Sequence, residues 1–162
     1  MYSSLSCEIY PPFCEASDTR LTHAVSAKMK ATDRSVRILI ADDQPIIRAM
    51  VRSTLETIPH FEVCAEAVDG AEAIEQAQRL KPDVVVLNVT MPVVNGFEAA
   101  REIKATLPET AIVILSSHAD QRFVAAAKKI GVRSYVAKSK VGEALVKAIE
   151  AAVKGDDFVL VE

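Results

Sequence analysis

Five times between residues 36 and 155 the chain repeats one local pattern, and few folds can use it. A short apolar run rich in β-branched residues is followed by a stretch whose apolar residues fall three and four apart. The runs are "VRILIA" (36–41), "FEVCAEA" (61–67), "DVVVLN" (83–88), "AIVILS" (111–116) and "RSYVAK" (133–138). Runs this short and this continuously apolar are strands buried on both faces. The intervening segments are "DQPIIRAMVRSTLETI", "DGAEAIEQAQRL", "GFEAAREIKAT", "ADQRFVAAAKKI" and "KVGEALVKAIEAAVKG". They carry the period of amphipathic helices. In the first of them Pro45 suits a first helical turn, and Ile46, Ile47, Met50, Val51, Leu55 and Ile58 make one apolar face. Gly131 is placed to end the fourth helix.

Strands alternating with helices require a parallel sheet covered on both sides. Right-handed crossovers restrict its topology. The expected fold is α/β: a doubly wound, five-stranded parallel sheet in the order 2-1-3-4-5, a flavodoxin-like three-layer sandwich. The domain is expected over residues 36–155. Residues 1–35, rich in Ser and Thr and holding Pro11-Pro12, read as a flexible or partly helical extension, with helical spacing at Leu21, Val25 and Met29. Met29 also offers an internal start. Residues 156–162, "DDFVLVE", read as a short tail, too short for a DNA-binding domain.

Composition excludes several classes. The net charge is −3, which carries no nucleic-acid footprint and no polybasic membrane patch. No apolar run is long enough to span a bilayer, and the N-terminus lacks the charged and apolar regions of a signal peptide. A cytoplasmic location is expected. Cys7, Cys14 and Cys64 have no metal-binding spacing, and Cys64 reads as a small core residue of the second strand.

In an open parallel sheet the site lies beyond the carboxyl ends of the strands. Strand one ends in Asp42-Asp43, strand three in Asn88, strand four in Ser116-Ser117 and strand five at Lys138. Singly these would be a helix cap, turn residues and a surface lysine. Jointly they put two acids, an amide, a hydroxyl and an amine on one edge. His118 reads as a solvated loop histidine.

Here the sequence resembles a family. "ILIADDQPIIR", "PDVVVLNVTMPVVNGFEAAREI", "AIVILSSHAD" and "GVRSYVAKS" are similar to the CheY-like receiver domain of response regulators, over about Val36 to Lys154. Ser139 stands where proline is commoner, and "YVAKS" is closest to receivers that carry a DNA-binding helix-turn-helix. The resemblance implies that Asp43 ligates Mg²⁺, assisted by Asp42, with the Thr90 carbonyl as a third ligand. It implies that Ser116 closes on a phosphoryl group, that Lys138 is its cationic partner, and that the Tyr135 rotamer follows. Mg²⁺ takes hard oxygen ligands and needs only one or two carboxylates.

Asn88 matches the family's phospho-acceptor, and there the resemblance departs from the pattern. An amide has no anionic oxygen to attack a phosphoryl donor. Phosphorylation at residue 88 should fail, and Mg²⁺ binding should weaken with the lost charge. Asn88 is either native to a degenerate receiver or introduced into a conventional one. Thr90 and Ser116 are nearby hydroxyls without an evident base. The expected function is a stand-alone signalling module of a two-component pathway, not an enzyme, that binds a protein partner or a histidine-kinase pathway component and no nucleic acid or membrane. A conventional phospho-accepting receiver and a small Mg²⁺-dependent phosphohydrolase are the alternatives. The resemblance implies an output face on helix four, strand five and helix five, with Phe123, Val124, Ala127, Tyr135, Ala144 and Lys147, open to a homodimer. The same alanines also suit close packing on the sheet.

Overall fold

A computed structural model describes residues 34–117, 120–156 and 158–161, apart from the side chain of Glu143. The N-terminal extension expected over residues 1–35, with Cys7 and Cys14, lies outside these residues save for its last two; His118 lies outside them too. The strands are β1 (Val36–Ala41), β2 (Phe61–Ala67), β3 (Val84–Asn88), β4 (Ala111–Ser116), β5 (Ser134–Ala137) and β6 (Val159–Val161). The helices are α1 (Pro45–Glu56), α2 (Gly70–Leu80), α3 (Gly96–Thr106), α4 (Gln121–Ile130) and α5 (Val141–Lys154), with a 3₁₀ turn at Lys138–Lys140. All strand pairings are parallel, in the order β2-β1-β3-β4-β5-β6.

The alternation of side chains along each strand divides the core into two layers. Leu39, Val85, Leu87, Ile112, Ile114 and Tyr135 face the alanines of α2, α3 and α4. Ile38, Ile40, Val84, Val86, Val113, Leu115 and Val136 face α1 and α5. Each fully buried Val, Leu or Ile contributes about 1.5–3 kcal/mol as an upper estimate, so the two layers fix the register of the central strands. The register of β1 on β2 shifts between Ile38 and Leu39, which leaves Cys64 as the extra residue. Its thiol is half-buried, lies 3.4 Å from the Ile38 carbonyl, and is pushed up in pKa by burial.

Two expectations are corrected. The sheet has six strands, not five. After Gly155, in the left-handed region at φ 78°, the expected tail returns along β5 as β6. Val159 donates its N–H to the Arg133 carbonyl at 3.1 Å. Phe158 packs toward the α4 layer, with Lys128 Nζ 4.8 Å from its ring centroid, and Val161 packs toward the α5 layer. The run is only three residues long, which hides it from pattern reading, but it covers a strand edge that would otherwise be bare. The residues expected on the output face divide: Val124, Ala127, Tyr135 and Ala144 are buried in the core, while Phe123 and Lys147 are exposed. The apolar stripe of α1 is also narrower than expected, since Val51 and Leu55 are buried while Ile46 and Met50 are exposed.

Two glycines hold the loop between β3 and α3. A Cβ at Gly70 would lie 2.1 Å from the Val94 carbonyl oxygen, and one at Gly96 would lie 2.0 Å from that of Asn88. Only glycine lets the starts of α2 and α3 come this close. Gly96→Ala should therefore lower stability by about 1–3 kcal/mol through forced displacement of the Asn88 backbone. Gly142→Ala, in α5 with open space around it, should be neutral or stabilising by up to about 1 kcal/mol. Denaturant midpoints of the two variants measure the contrast.

Candidate functional site

The carboxyl ends of β1, β3, β4 and β5 meet at a pocket of about 120 Å³ lined by Asp43, Gln44, Asn88, Thr90, Ser116, Ser117 and Lys138. Asp42 lies behind its wall, 1% exposed. Its position follows from its bonds. Its N–H donates to the Ala67 carbonyl at 3.2 Å, and its own carbonyl accepts from Arg48 Nη1 at 2.7 Å. Its Oδ1 accepts the Gln44 N–H at 2.9 Å, a local turn that starts the approach to α1. Its Oδ2 is 2.7 Å from Lys138 Nζ. That contact is an ion pair without the alignment of a good hydrogen bond, and no other donor among the described residues meets Oδ2. Arg48 continues to Glu66, whose carboxyl is held below its ordinary range, first by the hydrogen bond from Arg52 and then by Arg48.

Asn88, 4% exposed, points its amide nitrogen at two acceptors. Nδ2 donates to Asp43 Oδ1 at 2.9 Å and to the Thr90 carbonyl at 2.6 Å. Both partners can only accept, so the amide orientation is fixed by the bonds themselves. The segment beyond Thr90 is tight. Val93 has φ 64°, unusual for a β-branched residue, at the centre of a three-residue turn closed by Val94 N–H to the Pro92 carbonyl at 2.7 Å. Asn95 then caps α3 by accepting from Phe97 and Glu98, while the Glu98 carboxylate accepts the Asn95 N–H.

Tyr135 is fully buried beneath the pocket. Burial pushes its hydroxyl pKa up, and a hydrogen bond with the Ser116 side chain offsets part of that. The structure thus gathers Asp43, Asn88, Thr90, Ser116 and Lys138 around one pocket, with Asp42 and Tyr135 directly behind it. Sequence reading missed Gln44, Arg48 and the clamping role of the two glycines. The signal for Gln44 was its place after the acid pair, and for Arg48 its place one turn into α1.

The residues present do not fit a metal ion as arranged. Of the oxygens expected to ligate Mg²⁺, Asp43 Oδ1 and the Thr90 carbonyl are already joined by one amide nitrogen, and Asp42 Oδ2 is paired with Lys138. An octahedral Mg²⁺ needs such oxygens free to face it.

Breaking the Lys138–Asp42 pair from one side strands a buried charge. Lys138→Met should cost about 3–5 kcal/mol in stability, and Lys138→Met with Asp42→Asn should recover part of it. A double-mutant cycle in denaturant reads this coupling.

The profile of the response regulator receiver domain matches residues 38–150. The chain is 32% identical over 130 residues to the transcriptional regulatory protein DegU of Brevibacillus brevis, covering 80% of this chain and 55% of that protein. It is 38% identical over 115 residues to the chemotaxis protein CheY of Thermotoga maritima, covering 68% of this chain and 95% of that one. A solved two-component response regulator of the LuxR family from Aurantimonas sp. superposes with a TM-score of 0.73 at 36% identity, covering 76% of this chain and 89% of that chain. The chain spans about half the length of the transcriptional regulators it matches. The doubly wound sheet, the acid pair after β1, the hydroxyl after β4, the lysine after β5 and these likenesses agree: this chain belongs to the response regulator receiver domain family of two-component signalling.

Proposed function

We propose that this chain is a receiver module that takes no phosphoryl group at residue 88 and passes its signal by binding another protein in the cytoplasm. Asn88 carries the reading. It stands at the end of the inner strand β3, where the family resemblance puts the acceptor, and an amide offers no carboxylate to form an acyl phosphate. Its nitrogen is already committed to Asp43 and Thr90. Ser116 and Thr90 carry aliphatic hydroxyls, which need an adjacent general base to act as nucleophiles. The protein-binding part rests on exposed apolar side chains at the carboxyl end of the sheet. Ile46, Val68 and Val93 follow β1, β2 and β3 and are 77%, 48% and 81% exposed. Such residues around a rim suit a protein partner, including a histidine-kinase pathway component.

A second reading is favoured by length. The match spans only 54–56% of the transcriptional regulators' own length, and one solved relative is described as two RcsB dimers bound to two parallel DNAs. In this reading the chain is the receiver part of a DNA-binding regulator, and nucleic acid contact belongs to the other part. A phosphohydrolase reading loses support with the committed amide and the occupied oxygens.

The test is intact mass after incubation with Mg²⁺ and a small-molecule phosphodonor, beside Asn88→Asp. The wild-type mass should stay unchanged, and the variant should gain one phosphoryl group. A stoichiometric gain by the wild-type protein would refute the proposal.

A further inference from the structure

We propose that the side-chain amide of Asn88 stands in for the divalent cation of this pocket, so that the site is closed to metal and its loops are held together without one. This rests on the receiver reading of the pocket but not on whether any residue is phosphorylated. The observation is the choice of partners. Nδ2 joins Asp43 Oδ1, at the end of the β1 segment, to the Thr90 carbonyl in the β3–α3 loop. A cation between the same two oxygens would do the same work: it would draw an anionic and a dipolar oxygen from two different crossovers onto one centre. An NH₂ group has two protons for two acceptors, so each oxygen is satisfied with neither proton left over. The remaining positive charge is also supplied by the chain, through Lys138 at 2.7 Å from Asp42 Oδ2.

Two consequences separate this role from simple loss of charge. If Asn88 only lacked a negative oxygen, shortening it would not improve a metal site. If its amide fills the site, removing the amide opens it. The loop geometry fits the second case. The Gly96 contact and the turn at Val93 hold the Thr90 segment from the other side, and the amide bridge fastens it to Asp43. A metal entering here must first break both bonds, which weakens its apparent affinity roughly tenfold to a hundredfold.

The experiment compares wild type, Asn88→Ala and Asn88→Asp. Mg²⁺ binding is read by calorimetry and Mn²⁺ binding by electron paramagnetic resonance at constant ionic strength. The proposal expects Asn88→Asp to bind most tightly, Asn88→Ala next, and the wild type most weakly, with the thermal midpoint of the wild type unmoved by Mg²⁺. Equal or weaker binding by Asn88→Ala than by the wild type would overturn it, as would wild-type affinity equal to that of Asn88→Asp. Should Asn88→Ala fail to fold, as judged by circular dichroism, Asn88→Ser takes its place with the same expected order. The readout is independent of phosphoryl transfer. Phosphorylation elsewhere in the chain would sink the functional reading and leave this order standing.

Discussion

One amide nitrogen joins the first and third crossovers of this molecule. Asn88 sits at the end of β3, between β1 and β4, with its side chain directed at the acid after β1 and the carbonyl two residues beyond itself. Both acceptors lie where an acidic pocket would otherwise hold repelling or unsatisfied oxygens. A neutral donor removes one charge from the pocket and meets two acceptors at once, and the buried ion pair of Lys138 with Asp42 meets the rest. Asn88 therefore bridges two loops through hydrogen bonds, while Asp42 Oδ2 is met by charge alone. Ser116 and the buried Tyr135 lie on the β4 and β5 side.

That bridge depends on how closely backbone approaches backbone. The β3–α3 loop is pressed by α2 at Gly70 and by α3 at Gly96, and no larger residue fits at either place. The alternating strands bury one apolar layer under α2, α3 and α4 and another under α1 and α5, so β3 cannot slip without exchanging its faces. At the far edge β6 pairs with β5, and Phe158 and Val161 extend each layer by one side chain. An interaction through α4, β5 and α5 must accommodate this sixth strand.

Much of this was legible in the sequence, for physical reasons. Continuous apolar runs such as "DVVVLN" identify strands buried on both faces, and strand-helix alternation leaves few topologies. The strand ends then place Asp42, Asp43, Asn88, Ser116 and Lys138 together. What stayed hidden depends on atoms rather than periods. The three residues of β6 are too few to show a pattern. The partners of the Asn88 amide follow from a loop shape set by two glycine contacts. Ala127 of α4 and Ala144 of α5 read equally as an open surface or as packing, and only burial decides that they are packing.

The most direct test of the central claim is the side-chain amide of Asn88 observed by nuclear magnetic resonance. If its nitrogen bridges Asp43 and Thr90, the two Nδ2 protons are protected from solvent exchange and keep their shifts when Mg²⁺ is added. Rapid exchange of both protons, or a saturable shift with Mg²⁺, would contradict the account, because the amide would then be free and the site open to a metal.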